Sequence, residues 1–220
     1  MNGIKPTLLA EYEKEIIRQS GSPVMYKKGS IIFRPGDAAD KVYLIEQGWV
    51  KIFRLTMEGR QVTVGSIRHP GELMGLAEVL YRGERTCHAG AISEVTLIAV
   101  RKDDFHEMLL GEPQLAIKIA KLLAARMREA ESSIHELVSR NVPGRLASIL
   151  LRMAQRCGEP TDNGIRINLN LTHEELAGMI GASRQTVTSL ISQLREEKSI
   201  SVKGRQIRII DPKKLSGWTV

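Results

Sequence analysis

The segment that most restricts how this chain can fold is Leu171–Leu194, LTHEELAGMIGASRQTVTSLISQL. Thr172, with Glu175 three positions on, is a capping-box signature: hydroxyl and carboxylate each satisfy a free backbone N–H at a helix start. Leu176, Ala177 and Ile180 follow at helical spacing, and Gly181 supplies the left-handed conformation that ends a helix. Ser183 caps a second helix, whose first turn presents Arg184, Gln185 and Thr188 while Val187, Leu190, Ile191 and Leu194 point inward. The pattern predicts a helix-turn-helix, two short helices joined by a tight glycine turn, with the second free to enter a DNA major groove. A plain helical hairpin buried in a core has no use for base-pairing side chains at that first turn.

Downstream, Ile200–Ile210, ISVKGRQIRII, is two alternating runs around Lys203-Gly204-Arg205, the signature of a β-hairpin with cations at its tip. A hairpin in that position is a wing, and cations there suit phosphate. GASRQTVTSLISQL followed by this hairpin resembles the winged-helix C-terminus of the CRP/FNR family of bacterial transcription regulators, and the resemblance extends over nearly the whole chain.

Charge distribution agrees with the motif. From Val142 onward there are 12 Lys/Arg against 7 Asp/Glu, or +5 of the chain's total of +7, leaving +2 for Met1–Asn141. Positive charge thus concentrates where phosphate binding requires it. No run is long and apolar enough to span a bilayer, and Met1–Ser20 is a polar, helix-like segment without a signal-peptide core, so the expected compartment is the cytoplasm, with no membrane partner. Cys87 and Cys157 are too far apart in sequence to signal a disulfide framework or a cysteine metal site, and they read as small core residues.

Three regimes divide the chain. Lys28–Phe105 is broken by turn signals at Lys28-Gly29, Pro35-Gly36-Asp37, Gln47-Gly48, Glu58-Gly59 and Pro70-Gly71. Between them lie short β-branched runs, SIIF, VYLIEQ, VKIFRL and QVTVGSI, which predict an antiparallel roll or barrel. GSIIFRPGDAADKVYLIEQGWVKIFR is similar to the sensory β-roll of the CRP/FNR family and of cyclic-nucleotide-binding domains. Pro113–Arg140 is a long helix, on which Ala116, Ala120, Leu123, Met127, Ala130, Ile134 and Leu137 recur at spacings of 4, 3, 4, 3, 4, 3. That heptad seam predicts a homodimer, as the family pairs through this helix, while Ile119, Leu122 and Val138 are expected to pack on the chain's own roll. Ser139–Pro143 is the expected hinge, followed by the helix VPGRLASILLRMAQRCG, a turn at Glu159–Gly164, a strand IRINLNL, the helix-turn-helix and the wing. The fold class is therefore α+β: a sensory roll with an N-terminal helix over 1–112, a dimerisation helix over 113–140 and a winged helix-turn-helix over 141–220.

Within the second helix, Arg184 can contact guanine O6 and N7 in bidentate fashion, and Gln185 can pair with adenine N6 and N7. Thr188 and Ser189 can reach a base or phosphate one turn later, Thr186 and Ser183 suit a phosphate at the helix N-terminus, and Lys203 and Arg205 belong to the wing. Many family members carry glutamate at the position of Gln185 and arginine at that of Ser189, so the best-known family half-site is not expected here.

In the roll, Gly71-Glu72-Leu73 and Arg85-Thr86 resemble the phosphate-binding cassette of the family's cyclic-nucleotide binders, in which an arginine and a following serine or threonine hold the phosphate and a glutamate holds the ribose. Counted back from Arg85, however, the cassette's glycine-glutamate pair falls on Gly75-Leu76, with Glu78 nearby. The adenine-contacting pair on the long helix falls on Ala130-Glu131, where alanine cannot hydrogen-bond a base and glutamate repels phosphate. The site thus reads as a pocket for a small anionic or nucleotide-like effector rather than for cyclic AMP, the competing role of Arg85 being a surface ion pair with Glu84 or Glu78. His69 and His88 are the histidines that a haem sensor of the superfamily would use, although lone histidines are usually structural, and the iron–sulfur members' cysteine cluster is absent from this sequence.

These features point to a homodimeric transcription regulator that reads a palindromic operator on double-stranded DNA, under control of an effector bound between roll and long helix. RNA polymerase is a further partner if it activates. The competing reading is a constitutively active DNA-binding protein with a degenerate, ligand-free roll. An enzyme is disfavoured, since the sequence has no nucleophile–base pairing, phosphate-cradling glycine loop or metal-ligand cluster.

Overall fold

The computed structural model describes residues 9–81 and 83–219, which form two compact units. The long helix runs through the division, which falls between Arg128 and Glu129.

The first unit begins with α1 (Glu11–Ser20), which buries Ile17. Strands β1 (Ser22–Tyr26), β2 (Ile31–Phe33), β3 (Lys41–Gln47), β4 (Val50–Leu55), β5 (Gln61–Thr63, of which only Thr63 falls in this unit) and β6 (Leu73–Met74) precede the short α2 (Leu76–Tyr81). Then come β7 (His88–Ala91), β8 (Val95–Arg101), α3 (Lys102–Gly111) and the start of α4 (Pro113–Ser139). The strands form two antiparallel sheets, ordered β1-β8-β3-β6 and β2-β7-β4-β5. The roll is thus the expected antiparallel one. Phe33, Tyr43, Ile45, Val50, Ala89 and Leu97 fill one core, and Val42, Leu44, Leu73, Val79, Val100 and Phe105 form another. Into the second core α4 inserts Leu115, Ile119 and Leu122.

Two elements here differ from the sequence reading. Ser22–Tyr26 pairs along its whole length with Ala99–Val95, although SPVMY has no apolar alternation: as an edge strand it tolerates Pro23 and is held by its partner's ladder. Val138 does not pack on the roll but is 86% exposed, beside half-exposed Leu137 and Ile134.

The second unit comprises Thr56–Val62 and Glu129–Val220. After α4 come α5 (Val142–Cys157), the hairpin β9 (Gly158–Thr161) and β10 (Gly164–Ile167), then α6 (His173–Ile180) and α7 (Arg184–Glu196). The wing strands β11 (Ile200–Lys203) and β12 (Gln206–Ile209) follow, then α8 (Pro212–Ser216) and a single 3₁₀ turn. The sheet order is β11-β12-β10-β9. Glu159–Gly164, expected as a turn, is mostly hairpin, because Pro160 lies on the edge strand opposite Ile165. The strand expected over IRINLNL stops at Ile167, beyond which Leu169 and Leu171 are buried outside any ladder.

The expected hinge is closely held. Asn141 Oδ1 caps α5 by accepting from Gly144 N at 2.9 Å, and Pro143 lies in that helix's first turn. Arg145 Nη1 donates to Arg140 O at 2.7 Å, and Arg140 Nη1 donates to Ser148 Oγ. Before it, Arg152 Nη1 lies 2.6 and 2.7 Å from the two carboxylate oxygens of Glu136, and Arg156 Nη1 lies 2.9 Å from Glu129 Oε1. The last three turns of α4 are therefore tied to α5 by ion pairs.

Candidate nucleic-acid interface and effector site

The helix-turn-helix forms as its caps dictate. Thr172 Oγ1 accepts from Glu175 N at 3.1 Å while Glu175 Oε2 accepts from Thr172 N at 2.7 Å, the reciprocal bonds of a capping box. Gly181 has φ +63° and ψ +48°, the left-handed cap that turns the chain into α7. Ser183 Oγ accepts from Thr186 N at 3.0 Å. Val187, Leu190, Ile191 and Leu194 are buried against the rest of the unit, so α7 has one orientation and its other face is outward.

That outward face carries the expected residues. Arg184, Gln185, Thr188 and Ser189 are exposed, and among the described residues the Arg184 guanidinium has no hydrogen bond or ion pair. Ser183 and Thr186 are exposed too, but their hydroxyls lie 2.8 Å apart and bond each other. Thr188 Oγ1 donates to Arg184 O at 2.9 Å, which commits its proton. His173 Nδ1, 2.7 Å away across the motif, is therefore the donor to it. His173 was not legible as an interface residue, since only the fold brings the start of α6 beside α7. Lys203 and Arg205 flank Gly204 at the exposed wing tip, and Arg184, His173, Gly204 and Arg205 line one cleft between α6, α7 and the wing.

In the roll, Arg85 is only 2% exposed. Its Nη1 donates to Gly75 O at 2.9 Å and Nη2 to Lys41 O, its guanidinium lies 4.5 Å from the Phe33 ring centroid, and Nε is buried without a partner among the described residues. Gly75 has φ +76°, and a Cβ there would lie 2.8 Å from Arg85 Nη1, so this position admits only glycine while the arginine keeps its place. Glu78, on α2, faces the arginine: its Oε2 is 3.6 Å from Arg85 Nη1, and its Oε1 accepts from Thr86 Oγ1 at 2.9 Å and from Thr86 N at 3.4 Å. The expected ion pair of Arg85 is thus formed with Glu78, between a buried guanidinium and a partly exposed carboxylate. Leu76 is buried and Ala130 and Glu131 are exposed. Nearby, Tyr43 stacks on Phe33 with centroids 6.2 Å apart, and burial pushes its phenol up to about 12, keeping it neutral.

On the seam, Ala116 is half-buried, Leu123 is packed partly against the roll's core, and Ala120, Met127, Ala130, Ile134 and Leu137 are exposed. His69 is buried beside Glu72, 5.9 Å from the Trp49 ring, and His88 stacks on Phe53. No metal-binding group of His, Cys, Asp and Glu occurs among the described residues. Cys87 and Cys157 are half-buried rather than core residues. Burial pushes the Cys157 thiol up to about 11, and its Sγ donates to Met153 O. No described helix is long and apolar enough to cross a membrane.

Comparison with known proteins covers both units. Residues 23–112 match the cyclic nucleotide-binding domain family and residues 144–218 the Crp-like helix-turn-helix domain family. A global nitrogen regulator of Synechococcus elongatus is 35% identical over 193 residues, covering 87% of this chain and 86% of its own. A CRP-like cAMP-activated global transcriptional regulator of Mycobacterium tuberculosis is 30% identical over 214 residues, covering 97% and 93%. The crystal structure of a CRP/FNR-family transcriptional regulator from Thermus thermophilus superposes with a TM-score of 0.74 at 26% identity, covering 90% of this chain and 98% of that one. With an antiparallel roll, a long helix and a winged helix-turn-helix in one order and relatives alike along almost their whole length, the chain belongs to the CRP/FNR family of transcription regulators.

Proposed function

We propose that the protein is a homodimer that binds a palindromic DNA site in two successive major grooves and changes its affinity when the roll binds a small effector. The observation that carries this reading is the outward face of α7, where Arg184 and Gln185 are exposed while the opposite face is locked into the core. Arg184 and Gln185 read bases, Thr188 and Ser189 contact base or backbone, and Ser183, Thr186, Lys203 and Arg205 hold phosphates. The seam Ala116, Ala120, Leu123, Met127, Ala130, Ile134 and Leu137 pairs the protomers. Residues 1–112 act as sensor, 113–140 as the pairing helix and 141–220 as the DNA reader, working in the cytoplasm, with RNA polymerase as partner at activated promoters.

The effector is a small anionic or nucleotide-like molecule held near Gly75, Leu76, Arg85 and Thr86. Cyclic AMP is disfavoured, because Leu76 and Ala130 supply no hydrogen bond to ribose or base. A constitutive regulator with a ligand-free roll is the second reading, favoured by the internal partners that both Nη atoms of Arg85 already have. Selection of binding sites from random DNA, with anisotropy titrations of the enriched sequence, tests the main reading. A two-fold symmetric motif with half-sites about one helical turn apart is expected. Enrichment of no sequence, with binding set by salt alone, would refute it.

A further inference from the structure

Glu78 was expected beside the effector, yet its carboxylate is turned inward onto the two groups best suited to hold an anion. Resting on the reading of the roll as a small-molecule sensor, we infer that Glu78 is a resident counter-anion, so that Arg85 and Thr86 take an external phosphate or carboxylate only when Glu78 leaves. Glu78 Oε1 accepts from both the hydroxyl and the backbone N–H of Thr86, while Oε2 faces Arg85 Nη1 at 3.6 Å. A bound anion would use the same donors.

Charge makes the two occupancies exclusive. Arg85 and Glu78 together are neutral, and the arginine side chain is 1% exposed against 18% for the glutamate, so solvent screens a second anion poorly. A phosphate beside the ionised Glu78 would be repelled by a like charge at short range. Once Glu78 has swung out into water, the same phosphate would meet an uncompensated buried guanidinium. An effector therefore gains at this site only what its anion offers beyond the carboxylate already present, which selects for two or more negative oxygens that reach both Arg85 and Thr86.

The exchange has a path to the long helix within the same unit. Glu78 sits on α2, which begins one residue after Gly75, whose carbonyl Arg85 holds. Two residues before Gly75, the carbonyl of Leu73 accepts from Arg126 Nη2 on α4. The segment Leu73–Glu78 is thus gripped by α4 at one end and by the anion site at the other, and moving Glu78 pulls on a strand that α4 holds.

The test uses the full-length protein, inorganic phosphate and cyclic AMP as separate probes, and isothermal calorimetry at constant ionic strength. Glu78→Gln keeps the side-chain shape and removes the charge, and Glu78→Ala removes both; cooperative thermal unfolding checks that each is folded. At least one probe is expected to bind both variants about tenfold or more tighter than wild type, a modest share of the repulsion between close like charges in a partly buried site. The gain should vanish when Arg85→Lys is added to Glu78→Gln. Folded Glu78 variants that bind both probes no better than wild type would overturn the inference, as would a gain that survives Arg85→Lys. Failure of wild type to select any DNA sequence would instead refute the regulator reading and leave the calorimetry to judge Glu78 separately.

Discussion

Truncating Arg184 should separate base reading from phosphate attraction. Arg184 is exposed and unpaired among the described residues, so Arg184→Ala leaves no buried partner stranded and should change folding stability by less than about 0.5 kcal/mol. Its effect on DNA binding should be much larger, about 1–3 kcal/mol per half-site, concentrated at one guanine. Over two half-sites that is about 2–6 kcal/mol, a fall of between about thirtyfold and twenty-thousandfold in affinity. The wing gives the contrast. Lys203 and Arg205 are exposed at the tip, and removing both from each protomer of a dimer should flatten the slope of log affinity against log salt by about 3.6, at about 0.9 for each phosphate no longer neutralised. Fluorescence anisotropy with the selected operator, with single-base variants of it and with random duplex, over a series of salt concentrations, reads both quantities. If Arg184→Ala lowers binding to all these duplexes equally and flattens the salt slope while leaving base preference intact, Arg184 is a phosphate contact and the assignment of α7 as reader at that position fails.

Ile134→Asp is a cleaner probe of the seam than a charge at Leu123, which also packs against the roll: Ile134 is 63% exposed, so a monomer accommodates the charge. Sedimentation is expected to show folded monomers, and an undiminished dimer would contradict pairing through α4. Thr172→Ala removes the acceptor for Glu175 N and the hydroxyl held by Glu175, and should cost about 1 kcal/mol, seen as a lower Tm and loss of cooperativity between α6 and α7. Because burial raises the Cys157 thiol to about 11, its thiolate fraction at pH 8 is about one in a thousand, rising as pH approaches 11. Mass spectrometry after brief iodoacetamide treatment at pH 8 should find Cys157 unlabelled in native protein and labelled once unfolded.

What the sequence made legible was whatever is fixed locally. The capping box at Thr172, the left-handed Gly181 and the Ser183 cap are set by a few consecutive residues, and each formed where its signature stood. The strands missed or mistaken were of another kind. Ser22–Tyr26 and Gly158–Thr161 are both edge strands containing a proline, with ladders specified by their partners rather than by their own residues. The inward turn of Glu78 was equally hidden, because it depends on a helix of six residues too short to show a period. Likewise Val138 was assigned to the roll by its place on the helical wheel, whereas the roll's core ends its hold on α4 near Leu122 and Leu123.

The long helix is fastened by different means along its length. Its first turns are embedded through Leu115, Ile119 and Leu122, an apolar attachment that weakens on cooling and barely notices salt. From Glu129 onward it is bound instead by Arg156, Arg152 and their carboxylates, short and largely buried pairs that salt screens only weakly. One rod thus has an apolar root and an ionic tip, so a substitution that loosens one end need not loosen the other: Ile119→Ala acts on the first and Arg152→Ala on the second.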